Sequence, residues 1–248
     1  MIETVHVSLS DVSKGYKGKP VLEHLNLEIQ RNKLTAVIGP SGCGKTTLIN
    51  LIAGYEAPEA GTIACDGITI NGARWDRLVV FQETALFPWK TTLENVVFGP
   101  ISQGSKREEI IPRARGIMER FGLAGFENKY PGQLSGGMQR RAELARAIIN
   151  TPEVLLLDEP FRGLDAMTRG LMQEYLLALF DENPITTIFV TSDIEEGIYL
   201  ADRLIVLSSS PASVRTVINV DLPRPREMKM LASPRFGDIH KEILQNLF

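Results

Sequence analysis

Cysteine is scarce in this chain: Cys43 and Cys65 are the only two in 248 residues, with no C-x-x-C pair and no histidine cluster beside them. Neither a disulfide framework nor a zinc site is therefore expected, and both residues are read as reduced thiols. Apolar runs fall far short of the roughly 18 to 20 residues that span a bilayer. The N-terminus Met1-Ile2-Glu3-Thr4 lacks the basic-then-apolar layout of a signal peptide, so the chain is expected to stay in the cytoplasm. Basic runs are missing too, and a net charge of −3 argues against nucleic acid as a partner. No internal repeat or low-complexity segment occurs. What remains, 44% hydrophobic and 23% charged, is the composition of a globular chain able to bury one substantial core with a subdomain.

The organising stretch is Gly39-Pro40-Ser41-Gly42-Cys43-Gly44-Lys45-Thr46-Thr47, which satisfies G-x-x-x-x-G-K-[ST]. The run Leu34 to Ile38 before it reads as a buried strand. Lys45 to Ala53 after it carries Leu48, Leu51 and Ile52 at helical spacing and stops at Gly54. Strand, loop and helix together give a phosphate-binding loop. Its glycines let successive N–H groups and the helix N-terminus face an anion, Lys45 adds a mobile positive charge, and Thr46 offers a hydroxyl suited to Mg²⁺.

Around this loop the apolar alternation in residues 5 to 12 and 25 to 29 predicts antiparallel strands joined by a loop from Lys14 to Pro20. Tyr16 sits on that loop, suited either to stack on a purine or to pack on its own hairpin, and the nearby phosphate loop favours stacking. A hairpin is predicted through Asp66-Gly67, and a buried strand from Leu78 to Phe81 ends at Gln82. From Glu83 to Pro131 strand signals vanish and a helical stripe appears at Ile110, Ala114, Ile117, Met118 and Phe121. Ser105 and Glu108 form a capping-box pattern, whereas Pro112 either kinks that helix or delays its start. Leu86-Phe87-Pro88-Trp89-Lys90 puts large aromatics in a proline-containing loop, a pattern open to core burial or to a partner contact. At Leu134-Ser135-Gly136-Gly137-Met138-Gln139 a second glycine-rich loop opens a helix with Ser135 as N-cap. Val154 to Asp158 reads as a central parallel strand with Asp158 and Glu159 at its carboxyl end. Leu164-Asp165 leads into another helix. Thr186 to Val190 is the next buried strand, residues 204 to 207 and 214 to 220 read as paired edge strands, Pro223 to Pro225 as a linker, and Phe236 to Leu247 as a closing amphipathic helix.

With the phosphate loop, Gln82, LSGGMQ, LLLLDEP and Leu164-Asp165 in this order, the chain resembles the ATPase subunit of an ATP-binding-cassette transporter over nearly its whole length. The resemblance implies an α/β P-loop NTPase core with a mixed, largely parallel sheet, an antiparallel β subdomain and an inserted helical subdomain. As one cassette domain, residues 1–82 and 154–222 would form the core, 83–153 the helical subdomain and 223–248 a tail helix. ATP and Mg²⁺ are the implied cofactors. Gly39 to Thr47 would hold the triphosphate and Tyr16 stack on adenine. Thr46, Gln82 and Asp158 would serve the metal. Glu159 would be the general base with Gln82 sensing the water, Ser135, Gly136 and Gly137 would close over the γ-phosphate of a second subunit, and Asp165 would link the two sites. Partners would be that second ATPase subunit, as a homodimer or heterodimer, a transmembrane permease subunit and, indirectly, a periplasmic or surface substrate-binding protein, with the chain peripheral at the cytoplasmic face of the membrane. Residues 86 to 99 and the tail from 222 to 244 are similar to importer ATPases of the nitrate, sulfonate and taurine class. The pattern fails at one place: Ser192, in Val190-Thr191-Ser192-Asp193, stands where the family presents a histidine to the γ-phosphate. The resemblance implies ATP hydrolysis coupled to import, or alternatively a catalytically weakened half of a heterodimer. Repair and translation cassettes carry long insertions or two cassettes in one chain, and neither is seen here.

Overall fold

The computed structural model describes residues 4–247; Met1 to Glu3, read above for a signal-peptide layout, and Phe248 lie outside the described residues. The chain divides into two compact units, one of residues 1–79, 153–159 and 177–248, the other of 80–152 and 160–176.

The first unit holds two sheets. Strands β1 (Val5–Tyr16), β2 (Lys19–Gln30), β4 (Ala60–Cys65) and β5 (Ile68–Thr69) form an antiparallel sheet in the order β2-β1-β4-β5. Strands β3 (Leu34–Ile38), β6 (Arg77–Val80), β7 (Val154–Asp158), β8 (Thr186–Thr191), β9 (Arg203–Leu207) and β10 (Val214–Asn219) form the second, in the order β10-β9-β3-β8-β7-β6. There β3 is parallel to β8 and β9, β7 is parallel to β8, and β10 runs antiparallel to β9. Helix α1 (Lys45–Ala53) buries Leu48, Ile49, Leu51 and Ile52 in the core shared by both sheets. Every residue of β3, β7 and β8 is buried, which is why these strands read as continuous apolar runs.

Four expectations are corrected here. The loop predicted from Lys14 to Pro20 shrinks to a turn at Lys17 (φ 52°) and Gly18 (φ 75°), because two left-handed residues suffice to join strands of matching twist. Strand β9 is interior rather than an edge, its Leu204 to Leu207 fully buried between β3 and β10. Strand β6 runs from Arg77 to Val80 and so ends one residue before the predicted Phe81, whose carbonyl accepts from the Arg140 guanidinium at 2.6 Å. The Pro223 to Pro225 segment is anchored: Arg224 donates to Asp202 at 3.0 Å and Asp181 at 2.7 Å, and Arg226 to the Ala201 carbonyl at 2.6 Å. Helix α6 (Ile194–Leu200) and the tail helix α7 (Pro234–Leu247) complete the unit, with Phe236, Ile239 and Ile243 inward.

The second unit packs α2 (Thr92–Ser102), α3 (Arg107–Arg120) and α4 (Gly136–Ile148), and takes in the first part of α5 (Ala166–Glu182). Thr91 and Glu94 form the capping box of α2. Lys106, not Ser105, is the N-cap of α3, and no Ser105 box forms. The helix continues through Pro112, which is exposed along with Glu108, so the carbonyl the proline leaves without a donor lies on the solvent-facing side of the helix.

Candidate functional site

The parallel register sets Ile38 level with Thr191 and Asp158 with Val190. The phosphate loop, Asp158-Glu159 and Ser192 therefore leave the sheet at one carboxyl edge, where α/β folds place their sites. In the loop Gly42 (φ 76°) and Gly44 (φ 113°) are left-handed, and a Cβ on Gly44 would come within 2.8 Å of Val21. Both the dihedral and the space demand glycine there. Buried Lys45 donates from Nζ to the Gly39 carbonyl at 2.8 Å and the Pro40 carbonyl at 3.0 Å, so its ammonium is folded over the cradle. Pro40, Ser41, Cys43 and Thr47 complete that cradle, Thr46 is exposed, and Cys43 is buried with its thiol pushed above the usual range by desolvation.

Asp158 is 4% exposed. Burial pushes its carboxyl above the usual carboxylate range and Glu159 adds to this, while the Thr46 hydroxyl and the Lys45 ammonium act the other way. A desolvated carboxyl hydrogen-bonded to a threonine hydroxyl is a donor pair that fits a small oxygen-loving cation. Glu159 follows with φ 43° and donates its N–H to the Val190 carbonyl at 2.9 Å, a strained backbone position of the kind that collects at working sites. Ser192 is exposed, above a small network in which Thr191 Oγ1 donates to Glu196 at 2.6 Å and accepts from the Asp193 N–H at 3.0 Å. Tyr16 stands at the end of β1, 43% exposed. Its hydroxyl donates to the Glu56 carboxylate at 2.7 Å, and Lys14 Nζ lies 5.4 Å from the ring centroid.

In the second unit Ser135 caps α4, its hydroxyl accepting from the Met138 N–H at 3.3 Å. A Cβ on Gly137 would meet Thr168 Cγ2 at 2.6 Å. Thr168 is in turn fixed by Asp165, which accepts its N–H at 2.9 Å and its hydroxyl at 2.7 Å. The glycine loop and the Asp165 turn are thus packed together, a contact that the D-x-x-T spacing hints at but that Gly137 alone does not reveal. Gln82 is exposed, and its carbonyl accepts from Arg140.

The chain as a whole is similar to known proteins. The family profile described as ABC transporter matches residues 22–162, more than half of the chain. The chain belongs to the ABC transporter family. Among relatives of this ABC chain, a taurine import ATP-binding protein of Yersinia pestis bv. Antiqua is 45% identical over 208 residues, 84% of this chain and 82% of that protein. An aliphatic sulfonates import ATP-binding protein of Bacillus cereus is 40% identical over 243 residues, 96% of this chain and 94% of that protein. A dimeric ATP-binding cassette solved in a post-hydrolysis state with ADP and Pi superposes with a TM-score of 0.77 at 31% identity, covering 88% of this chain and 100% of that one.

Sequence reasoning overlooked how this ABC chain fixes the segment after β6. Arg140 and Glu143 form a buried ion pair at 2.7 Å; Arg140 also holds the Phe81 carbonyl at 2.6 Å, Glu143 accepts from the Ala85 N–H, and Arg146 donates to the Ala85 carbonyl at 2.8 Å. The available signal was three charges at i, i+3 and i+6 of α4, which mark one helix face. Beyond it, Asn95 gathers the Phe87, Lys90 and Thr91 carbonyls, leaving Trp89 71% exposed beside Phe87, ring centroids 5.6 Å apart.

Proposed function

We propose that this chain is the ATP-hydrolysing subunit of an importer for taurine, related sulfonates or nitrate. It works as one of a pair of ATPase subunits on a transmembrane permease at the cytoplasmic face of the membrane, with a separate periplasmic or surface protein capturing the cargo. The observation that carries this reading is the pairing of Thr46 with buried Asp158 at the mouth of the phosphate loop. The identities to import ATP-binding proteins support the transport assignment.

In this reading the N–H groups of Gly39 to Thr47 bind the β- and γ-phosphates, and Lys45 exchanges its loop carbonyls for phosphate oxygens. Thr46 and Asp158 would hold Mg²⁺, which would supply positive charge to the phosphate oxygens, and Gln82 keeps the metal and water role that the family resemblance implies. Tyr16, its hydroxyl tied to Glu56, offers a ring for the adenine. Glu159 orients a water and takes its proton as the water oxygen bonds to the γ-phosphorus and the bond from that phosphorus to the ADP oxygen breaks. Ser135 to Gly137 of the second subunit donate to the γ-phosphate, and Asp165, locked to Thr168, transmits that contact. The exposed Trp89, beside half-buried Phe87, receives the permease.

A second reading, a slow subunit completed by a paralogue in a heterodimer, is favoured by Ser192 alone, whose short neutral side chain replaces an imidazole. Reconstitution with the permease and binding protein in liposomes tests the main reading. Taurine- or sulfonate-stimulated ATP hydrolysis is expected, and a chain that binds no Mg-ATP would overturn it.

A further inference from the structure

A second polar cluster lies apart from the carboxyl edge, within the first unit. His6 on β1 is 1% exposed, yet its Nε2 has no hydrogen-bond partner among the described residues. That nitrogen points between two carboxylates, 3.6 Å from Asp66 Oδ2 in the β4–β5 turn and 3.8 Å from Glu153 Oε2 just before β7. The three donor atoms all lie within 4.8 Å of one another. Both carboxylates stand at ion-pair rather than hydrogen-bond distance, so the buried nitrogen is left without a hydrogen bond, which is unfavourable.

The geometry points to a divalent transition-metal site of the zinc class, with His6 Nε2, Asp66 Oδ2 and Glu153 Oε2 as its three protein ligands. Bonds of about 2.1 Å in a tetrahedral site hold donor atoms about 3.4 Å apart, so the two imidazole-to-carboxylate separations need to close by only a few tenths of an ångström. The other ring nitrogen is set for this role. Nδ1 lies 2.6 Å from Thr186 Oγ1, which also accepts the Asn32 N–H at 2.8 Å; a proton on Nδ1 donates to that oxygen and frees the Nε2 lone pair. Ligating histidines are ordinarily oriented by such an outer hydrogen bond.

An imidazole with two carboxylates suits Zn²⁺, Co²⁺ or Ni²⁺ better than Mg²⁺ or Ca²⁺, which prefer oxygen alone. The carboxylate side chains are 44% and 50% exposed, and both line an open cleft of about 510 Å³. A fourth position is therefore open to water, as in exchangeable rather than closed structural sites. Asp66 bonds Arg31 through its other oxygen, a nearby positive charge that lowers the affinity without occupying Oδ2. The ligands come from the antiparallel sheet with its β4–β5 turn and from the residue just before β7, the strand that ends in Asp158, so a bound ion links the two sheets.

The test uses the full chain stripped by chelator, without nucleotide. Titration with Co²⁺ should give one equivalent per chain with a visible d–d band, and Zn²⁺ at a hundredfold excess over its dissociation constant should raise the melting temperature by about 5 °C or more. Both signals should be lost in Glu153→Gln and in Asp66→Asn, whose half-exposed positions leave folding intact, and Mg²⁺ at equal concentration should give neither. No band and no shift in the wild-type chain, or signals that persist unchanged in Glu153→Gln, would overturn the site; the second result would mark adventitious binding at the cysteines or at other histidines.

Discussion

A carboxyl as buried as Asp158, with a hydroxyl and a lysine as its only relief, is charged at a cost. Its folded value is raised, so the folded state holds the proton more tightly than the unfolded one. Stability linked to this group is present in full in acid and is lost as pH rises through the raised folded value. At neutral pH in the absence of a cation the ionised form therefore strains the fold. Asp158→Asn should raise the melting temperature in EDTA by about 2 °C or more and abolish Mg²⁺-dependent hydrolysis. A variant less stable than wild type at pH 7, together with a stability difference that stays flat as pH rises from acid through the usual carboxylate range and above, would contradict this account. Ser192 is a contrasting residue. Its hydroxyl carries no charge and stops several bonds short of where an imidazole would end, and loss of one preorganised donor typically costs about 10² to 10³ in rate. Ser192→His should raise steady-state hydrolysis of the assembled complex with Mg-ATP affinity unaltered. An unchanged rate, from a natural protein already turning over at speeds usual for transporter ATPases, would remove the idea of a weakened site.

Among the elements, α4 does two jobs. Its N-terminus presents Ser135 and Gly136, while one turn further on Arg140, Glu143 and Arg146 hold the backbone of residues 81 to 85. Desolvation raises the Glu143 carboxyl and lowers both arginines, so each charge depends on the others. Removing one partner of a buried pair typically costs about 3 to 5 kcal/mol. Glu143→Ala should lose stability on that scale in urea unfolding, whereas the double variant Arg140→Met with Glu143→Leu should recover a large part of it; equal losses in both would show that the backbone contacts, not the pair, dominate. Trp89 behaves oppositely, since its exposure means little core is lost on truncation. Trp89→Ala should shift the melting temperature by less than about 2 °C while weakening assembly with the permease, and a collapse in stability would return this side chain to the core.

Legibility in the sequence follows the same division. The strands β3, β7 and β8 and the helices α1 and α4 were readable because each pairs an uninterrupted apolar run or helical period with a glycine, serine or proline near its boundary. The Lys17-Gly18 turn was missed because lysine carries no signal for a left-handed conformation, and β9 was misplaced because pairing order is not encoded in local pattern. The buried charges of α4 were hidden for a related reason: a charge on a helix is ordinarily solvated, and only the tertiary partner reveals otherwise.

For the whole molecule, the proposed function divides the chemistry between two half-sites that one chain would carry once each: a phosphate loop with Asp158 and Glu159, and the Ser135 helix terminus. Nucleotide bound to the first would offer its γ-phosphate as the anion for the second, so ATP would act as the ligand that favours a pair of chains, and hydrolysis would withdraw it. The population of the dimer would then be governed by whether the γ-phosphate survives. Glu159→Gln removes the base and leaves the phosphate contacts, which predicts a monomer without nucleotide and a long-lived dimer with Mg-ATP. Each tenfold gain in dimer affinity corresponds to about 1.4 kcal/mol, within reach of a few charge-assisted hydrogen bonds to one phosphate. Light scattering of Glu159→Gln with and without Mg-ATP reads this directly. The added variant Ser135→Arg, which places a bulky side chain at the α4 terminus while leaving the phosphate loop untouched, should bind ATP and remain monomeric. A Glu159→Gln chain that stays monomeric under saturating Mg-ATP, even with the permease present, would mean that the two half-sites do not share a nucleotide.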